Sequence, residues 1–447
     1  MKCKYLITNI LLSGGYLLLC FFVSFAAAPE AAQAGTYTLE QAIETALANN
    51  PGLQADQMEE EASKAVFKGA QGRRFPQINA YGSYKRLSDP ATVVPIKGFG
   101  GELPYFSRDQ YGTGLRLSVP LFQGGRLQAD VRAASSATAA ARAGTIRNRQ
   151  LLAAQVTDTF HFILSLQALL RAQADTLEAL KKARADAALR LQVGRIAPLD
   201  LMEMDTQLAS QEQAMVSTRE ALGRARQRLA LLMGLEPSVE PHVTGDLTDA
   251  ASSPPLPDSV EELLEKRPDV IQAQRQVEKA EAALERARGL RRPSLDLFGD
   301  YGRRAGSGFE GDEEVWSTGV NLSLNIFSGG TIAAKIAEAQ AKVMAARKRL
   351  QALRLEARSQ LLAARSALKE AEARLGLARK IQESAAEAFR IEKLRYEKGA
   401  GTVTDLLQAQ AAWQTAKAQL TQALYDKAAA MTAIRLAAGT ILPRKGS

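Results

Sequence analysis

Chemistry in a protein is most often carried by histidine, cysteine, clustered carboxylates or a glycine-rich phosphate loop, and this chain of 447 residues has few of them. His161 stands among apolar neighbours in a helical pattern and His242 in a proline-rich stretch. Neither has companions spaced to complete a metal set, so each reads as a structural histidine. Both cysteines, Cys3 and Cys20, fall in the N-terminal segment 1–34, which reads as a signal peptide. Glu310-Gly-Asp-Glu-Glu314 could hold a divalent cation, but such a run more commonly forms a solvated loop. The pairs Gly124-Gly125 and Gly329-Gly330 lack the spacing and the Lys-Ser/Thr of a phosphate loop. No catalytic, cofactor-binding or metal-binding constellation emerges, and the sequence points away from an enzyme. Asp200 and Asp405 each stand just after a glycine turn, where an aspartate can cap the following helix.

The elements that position these residues occur twice. Gly114-Leu-Arg-Leu-Ser-Val-Pro-Leu-Phe-Gln-Gly-Gly125 and Gly319-Val-Asn-Leu-Ser-Leu-Asn-Ile-Phe-Ser-Gly-Gly330 each alternate apolar and polar residues, as a strand with one greasy face does. After each Gly-Gly corner the apolar period changes to three and four, and no proline interrupts until the next glycine turn. A strand therefore feeds a very long helix, about 125–193 and again about 330–398; at about 1.5 Å per residue each spans roughly 100 Å. Ile332, Ile336, Ala339, Val343, Ala346, Leu350, Leu353 and Ala357 form a heptad seam, and Leu361 introduces a stutter. Leu189-Arg190, Gly194 and Asp200-Leu201 recur as Leu394-Arg395, Gly399 and Asp405-Leu406 at the offset that relates Gly114 to Gly319. Gly72, Arg74, Pro76, Gly82 and Tyr84 recur as Gly289, Arg291, Pro293, Gly299 and Tyr301 at a longer offset, so the first half has the longer inter-strand loop, near Leu87 to Gln110.

The expected organisation is a signal peptide at 1–34, a first repeat at 35–235, a proline-rich irregular linker at 236–258, a second repeat at 259–440 and a tail at 441–447. Lys2 and Lys4, the apolar run and Ala32-Gln33-Ala34 carry the signal assignment. An uncleaved anchor is the alternative, and Cys20 is a possible lipidation site, although Leu17-Leu18-Leu19 suits that poorly. The formal charge of +9 is spread along helices where basic and acidic residues interleave, as in Arg347-Lys348-Arg349 and Glu356. That is a solvated helix face rather than a nucleic-acid surface.

Strands are expected at about 75–86, 111–122, 293–303 and 315–327. Each sets a face fit for lipid against one fit for water, at the length a membrane strand requires; a soluble sheet over a helix gives the same alternation. Four strands cannot seal a barrel in a bilayer, so a membrane role requires several chains. The long helices are too polar and too long for the bilayer and must project into water.

In this arrangement the chain resembles the TolC-type outer-membrane channel proteins over nearly its whole length after the signal. The resemblance rests on Leu121-Phe122-Gln123-Gly124-Gly125 and its copy, on Arg74-Phe75-Pro76 and Arg291-Arg292-Pro293, and on Val193-Gly194 and Gly399 at the helix turns. It implies a mainly α fold with a small β part: a homotrimeric 12-stranded β-barrel embedded in outer-membrane lipid and continued by a periplasmic α-helical coiled-coil barrel. The implied role is a passive exit duct of a tripartite efflux pump or type I secretion system, working with a periplasmic adaptor and an inner-membrane pump of RND or ABC type. No cofactor and no nucleic acid is implied. Asp405 falls where the family places a ring of aspartates, Tyr396 where a tyrosine ties neighbouring hairpins, and Asp200 where an aspartate joins those ties. Gly401 stands in place of a linking arginine and Gln408 in place of a second aspartate, which implies a softer periplasmic gate. The turns Val193-Gly194-Arg195 and Lys398-Gly399-Ala400 match the adaptor-docking surface. A periplasmic adaptor, which should have one hairpin flanked by soluble β domains, and a coiled-coil scaffold without a pore are the rivals.

Overall fold

The computed structural model describes residues 35–88, 107–236, 238–250, 260–306 and 313–442. The signal segment with Cys20, most of the first inter-strand loop and Glu310 to Asp312 lie outside the described residues.

In chain order the elements are β1 (Thr36–Tyr37), α1 (Leu39–Asn49), α2 (Pro51–Gly72), β2 (Gln77–Arg86), β3 (Asp109–Gln123), α3 (Arg126–Gln192) and α4 (Pro198–Leu232). Then follow β4 (His242–Val243), α5 (Leu247–Ala250), α6 (Val260–Glu265), α7 (Pro268–Gly289), β5 (Ser294–Ala305), β6 (Glu313–Ser323), α8 (Thr331–Glu397) and α9 (Val403–Ala437). The helices α3 and α8 have 67 residues each. Both start from a left-handed glycine, Gly125 at φ +84° and Gly330 at φ +83°, a conformation that a side chain disfavours. This glycine converts the strand direction into the helix direction within one residue.

In each half the two shorter helices meet end to end beside the long one. Asn50, which caps α2, donates to the Leu232 carbonyl at the end of α4 (3.0 Å). Its counterpart Arg267 donates to the Ala437 carbonyl at the end of α9 (2.9 Å) while holding Asp269 and Gln360. The orphan carbonyls of a helix end are thus satisfied by the residue that opens the next helix. The heptad seam of α8 faces inward: Ile336, Val343 and Ala357 are buried and their seam partners half-buried, and Leu361 at the stutter is fully buried. The largest apolar cluster gathers Val156, Phe160 and Ile163 of α3 with Ala42 and Ala46 of α1, Leu229 of α4, Met233 and Val243.

The sheet runs β2-β3-β5-β6, antiparallel throughout. Both hairpins share one register, Gln77 opposite Ser118 and Ser294 opposite Ser323. Two expectations are corrected. The fourth strand ends at Ser323 rather than near 327, because β3 is held as far as Gln123 by β5 beside it, whereas β6 is an edge. Ile326 and Phe327 beyond it are 92% and 87% exposed. The linker is also less irregular than its prolines suggest: His242–Val243 pairs in parallel with Thr36–Tyr37, and Val243 and Leu247 are buried in the main cluster. Glu313 and Glu314 of the acidic run belong to β6, opposite Arg304 and Arg303.

Candidate functional site

The strand wall sorts its side chains by face. Ile78, Leu115, Trp316, Val320 and Leu322 stand exposed on one side, uncovered by any of the described residues. On the other side Arg116 Nε donates to Asp300 Oδ1 (2.7 Å) and Gln123 Nε2 to Asp296 Oδ1 (2.5 Å). An apolar outer face and a paired polar inner face suit a wall between lipid and water.

The far ends of the helices carry the residues expected at the gate. At both turns the chain closes the helix in the same way. Arg195 N donates to Arg190 O (2.8 Å) around Gly194 at φ +71°, and Ala400 N donates to Arg395 O (2.8 Å) around Gly399 at φ +74°. This six-to-one closure around a left-handed glycine satisfies the last carbonyls of α3 and α8. Asp200 then accepts from Ala197 N (3.0 Å). Asp405 and Thr402 form a reciprocal capping box, Asp405 N to Thr402 Oγ1 (3.1 Å) and Thr402 N to Asp405 Oδ2 (3.4 Å). Hydrogen bonding to Thr402 holds the Asp405 carboxyl below the usual carboxylate range, so it is charged at neutral pH. Both aspartates are therefore N-terminal capping groups. Asp405 and Gln408 remain exposed, so capping does not withdraw Asp405 from solvent.

Tyr396 is buried in a small knot with Ala187, Met204, Val403 and Leu406 that joins the two hairpin tips. Among the described residues its hydroxyl has no hydrogen-bond partner, and Asp200 is close enough to act on it through its charge. The tie runs through a residue that sequence reasoning missed. The Arg190 guanidinium lies 4.6 Å from the Tyr396 ring centroid and donates to the Tyr396 carbonyl (3.3 Å). Burial pushes the Tyr396 hydroxyl up from its ordinary pKa, with Arg190 pulling against it. A second tie, Thr404 Oγ1 to Glu203 Oε2 (3.2 Å), links α9 to α4. Arg190 was visible as a repeated Leu-Arg, but nothing in its spacing showed which ring it would meet. Val193, Gly194, Arg195, Lys398 and Gly399 are exposed at the tips, with Ala400 beside them.

The fold has counterparts among known proteins. The family model for outer membrane efflux proteins matches residues 42–235 and 259–440. The outer membrane protein OprJ of Pseudomonas aeruginosa is 29% identical over 388 residues, covering 83% of this chain and 78% of OprJ. The cobalt-zinc-cadmium resistance protein CzcC of Cupriavidus metallidurans is 23% identical over 294 residues, covering 66% and 64%. Among solved structures, the outer-membrane channel OprN superposes with a TM-score of 0.78 at 24% identity over 90% of each chain. VceC of Vibrio cholerae gives 0.76 at 20% identity, covering 90% of this chain and 96% of VceC. A two-faced strand wall without a catalytic centre, carried on helices too polar for a bilayer, is thereby placed in the outer membrane with its helices in the periplasm: the chain belongs to the outer membrane efflux protein family, a family of channels rather than enzymes.

Proposed function

We propose that three copies of this chain close a barrel and tunnel that serve as the exit duct of a tripartite efflux pump, opened at the periplasmic end by an adaptor. The observation that carries this reading is an asymmetry between equivalent surfaces. The first half binds the second by surfaces whose counterparts on the second half are bare. β3 pairs along β5 with Arg116 opposite Asp300, whereas β6 and β2 are free edges. A Cβ added at Gly124 would lie 2.6 Å from the Gly289 carbonyl, but nothing lies near the matching Gly329, Gly330 or Gly72. On α3, Thr157 and Thr176 are buried; their counterparts on α8, Leu362 and Ile381, are each 50% exposed. Free strand edges are not tolerated in a bilayer, and the repeat itself supplies the occupant. Its register puts Asn321 of β6 opposite Ser83 of the next copy.

The tips support adaptor docking at Val193-Gly194-Arg195 and Lys398-Gly399-Ala400. Leu189, Val193, Leu199 and Met202 are more than half exposed around the first turn, an apolar patch that a soluble end would not retain without a partner. The inner-membrane pump, of RND or ABC type, supplies the energy that this chain has no chemistry to generate. The test is oxidation of an Asn321→Cys, Ser83→Cys double variant in membranes. A covalent ring of three chains is expected, with none from Ser317→Cys paired with Ser83→Cys; only monomers from both pairs would reject the closure. Arg195→Glu should separately weaken crosslinking to the adaptor while leaving the ring intact.

A further inference from the structure

The inward, polar face of the sheet holds two residues unlike their neighbours. Tyr81 shares it with Asn79 and Ser83 on β2, and Phe298 shares it with Asp296 and Asp300 on β5. The other aromatic rings of the sheet, such as Tyr84, Tyr111, Tyr301 and Trp316, stand on the apolar face. An aromatic ring on a water-facing wall gains nothing from lipid, so its position calls for another account.

Glycines hold both rings against the wall. Tyr81 lies opposite Gly114, which lies opposite Gly302. A Cβ added at either glycine would come to 3.1 Å or 3.2 Å of the Tyr81 hydroxyl. Phe298 lies opposite Gly319, where an added Cβ would meet the ring at 2.9 Å. Each ring therefore reaches sideways over bare backbone of the adjacent strand instead of pointing at the barrel axis. The arrangement leaves the bore open while keeping aromatic surface at the wall. Beside Tyr81, the Arg116 guanidinium sits 5.2 Å from the ring centroid and is paired with Asp300.

The two arrangements are one arrangement repeated. Tyr81 with Gly114 and Phe298 with Gly319 occupy the same positions in hairpins of identical register. In a closed trimer they stand at one height, three tyrosines alternating with three phenylalanines around the lumen.

We propose that this girdle of Tyr81 and Phe298 is a transient binding site for planar aromatic cations passing through the barrel. Ring faces attract both flat π-systems and cations, and the nearby Arg116–Asp300 pair adds no net charge to the girdle. A duct needs sites that are weak and repeated, so that cargo enters and still leaves. Six rings in two sets of three supply repetition without a deep pocket. The inference rests on the channel reading, and its test separates the two.

The full-length protein is inserted in planar bilayers and ethidium is added on the barrel side while the current is recorded. Brief blockades are expected, with dwell times falling at least tenfold in Tyr81→Leu, Phe298→Leu, which keeps bulk and removes the π faces. The exchange Tyr81→Phe, Phe298→Tyr should retain the blockades. Dwell times unchanged in the leucine variant would overturn the girdle while leaving the channel standing. Absence of any dye-free current in the unmodified protein would instead remove the channel and the girdle with it. A leucine variant that gives no current is examined by ethidium fluorescence anisotropy in detergent, where binding equal to that of the unmodified trimer also overturns the proposal.

Discussion

The helices α3 and α8 have the same length, start from the same glycine corner and end in the same turn, yet they live in different surroundings. α3 buries 19 residues and α8 buries nine. α3 has neighbours on both sides, α2 and α4 from its own half and α7 and α9 from the other. α8 has α7 and α9 on one side, and its other side carries Leu355, Leu362 and Leu377 into solvent. Local sequence therefore sets what each helix is, and connectivity sets what covers it. A duplicated chain meets its own second half once and must find the next partner in another molecule.

The sharpest way to test that difference is to remove the same position from each helix. Phe160 is 2% exposed at the centre of the main cluster, and its repeat equivalent on α8 is Arg365. Truncating a buried aromatic removes transfer energy and leaves a cavity, so Phe160→Ala should cost about 3–5 kcal/mol. Arg365 is half-buried, and Arg365→Ala should cost less, about 1 kcal/mol, the central value for single substitutions. Chemical denaturation followed by circular dichroism checks both; equal costs would show that the two helices are equally central to the fold of one chain.

A second contrast lies one residue along, where α3 has His161 and α8 has Ser366. His161 is 5% exposed and its Nδ1 has no hydrogen-bond partner. Burial first, and then Arg435, push its imidazole down to about 4. The unfolded chain, with an ordinary histidine near 6.5, thus takes up a proton that the folded chain refuses. Stability from this source is complete above about pH 6.5 and is lost as pH falls toward about 4, by up to roughly 3 kcal/mol. His161→Leu should flatten unfolding free energy against pH across that window, whereas an unchanged slope would assign it to other groups.

Much of this was legible in the sequence because the signals are local. Glycine corners, the change of period from two to about 3.6, and the capping aspartate after each glycine turn each depend on a few adjacent residues. What was missed depends on partners far along the chain. The two-residue strand β4 exists because Thr36–Tyr37 lies beside it, and β6, at the edge of the sheet, ends at Ser323 although its alternation continues. Alternation puts Phe298 on the face of Asp296 and Asp300, but only the pairing with Gly319 shows the bare backbone that its ring lies over. At the tips, the sequence pointed to Tyr396 and Asp200, but which atoms meet there depends on how the two hairpins come together around Met204, Val403 and Leu406.

That last point gives the finest distinction between the two helices. Arg190 of α3 lies over Tyr396 of α8, but the equivalent Arg395 of α8 pairs with Glu392 on its own helix (2.7 Å). The residue matching Tyr396 on α3 is Leu191, which offers no ring. The cation–π clasp can therefore form between hairpins within one chain and has no counterpart toward the next chain, so opening should begin between chains. Such a contact is worth roughly 0.5–2 kcal/mol, enough to shift a closed gate without unfolding it. Arg190→Ala should raise the resting single-channel conductance several-fold and Arg190→Lys less, because an ammonium cannot stack on the ring as a planar guanidinium does. Arg395→Ala should leave conductance near the unmodified value. If the two alanine variants leak equally, the clasp is not what distinguishes the contact within a chain from the contact between chains, and the gate must rest on the apolar knot around Met204 and Leu406 instead.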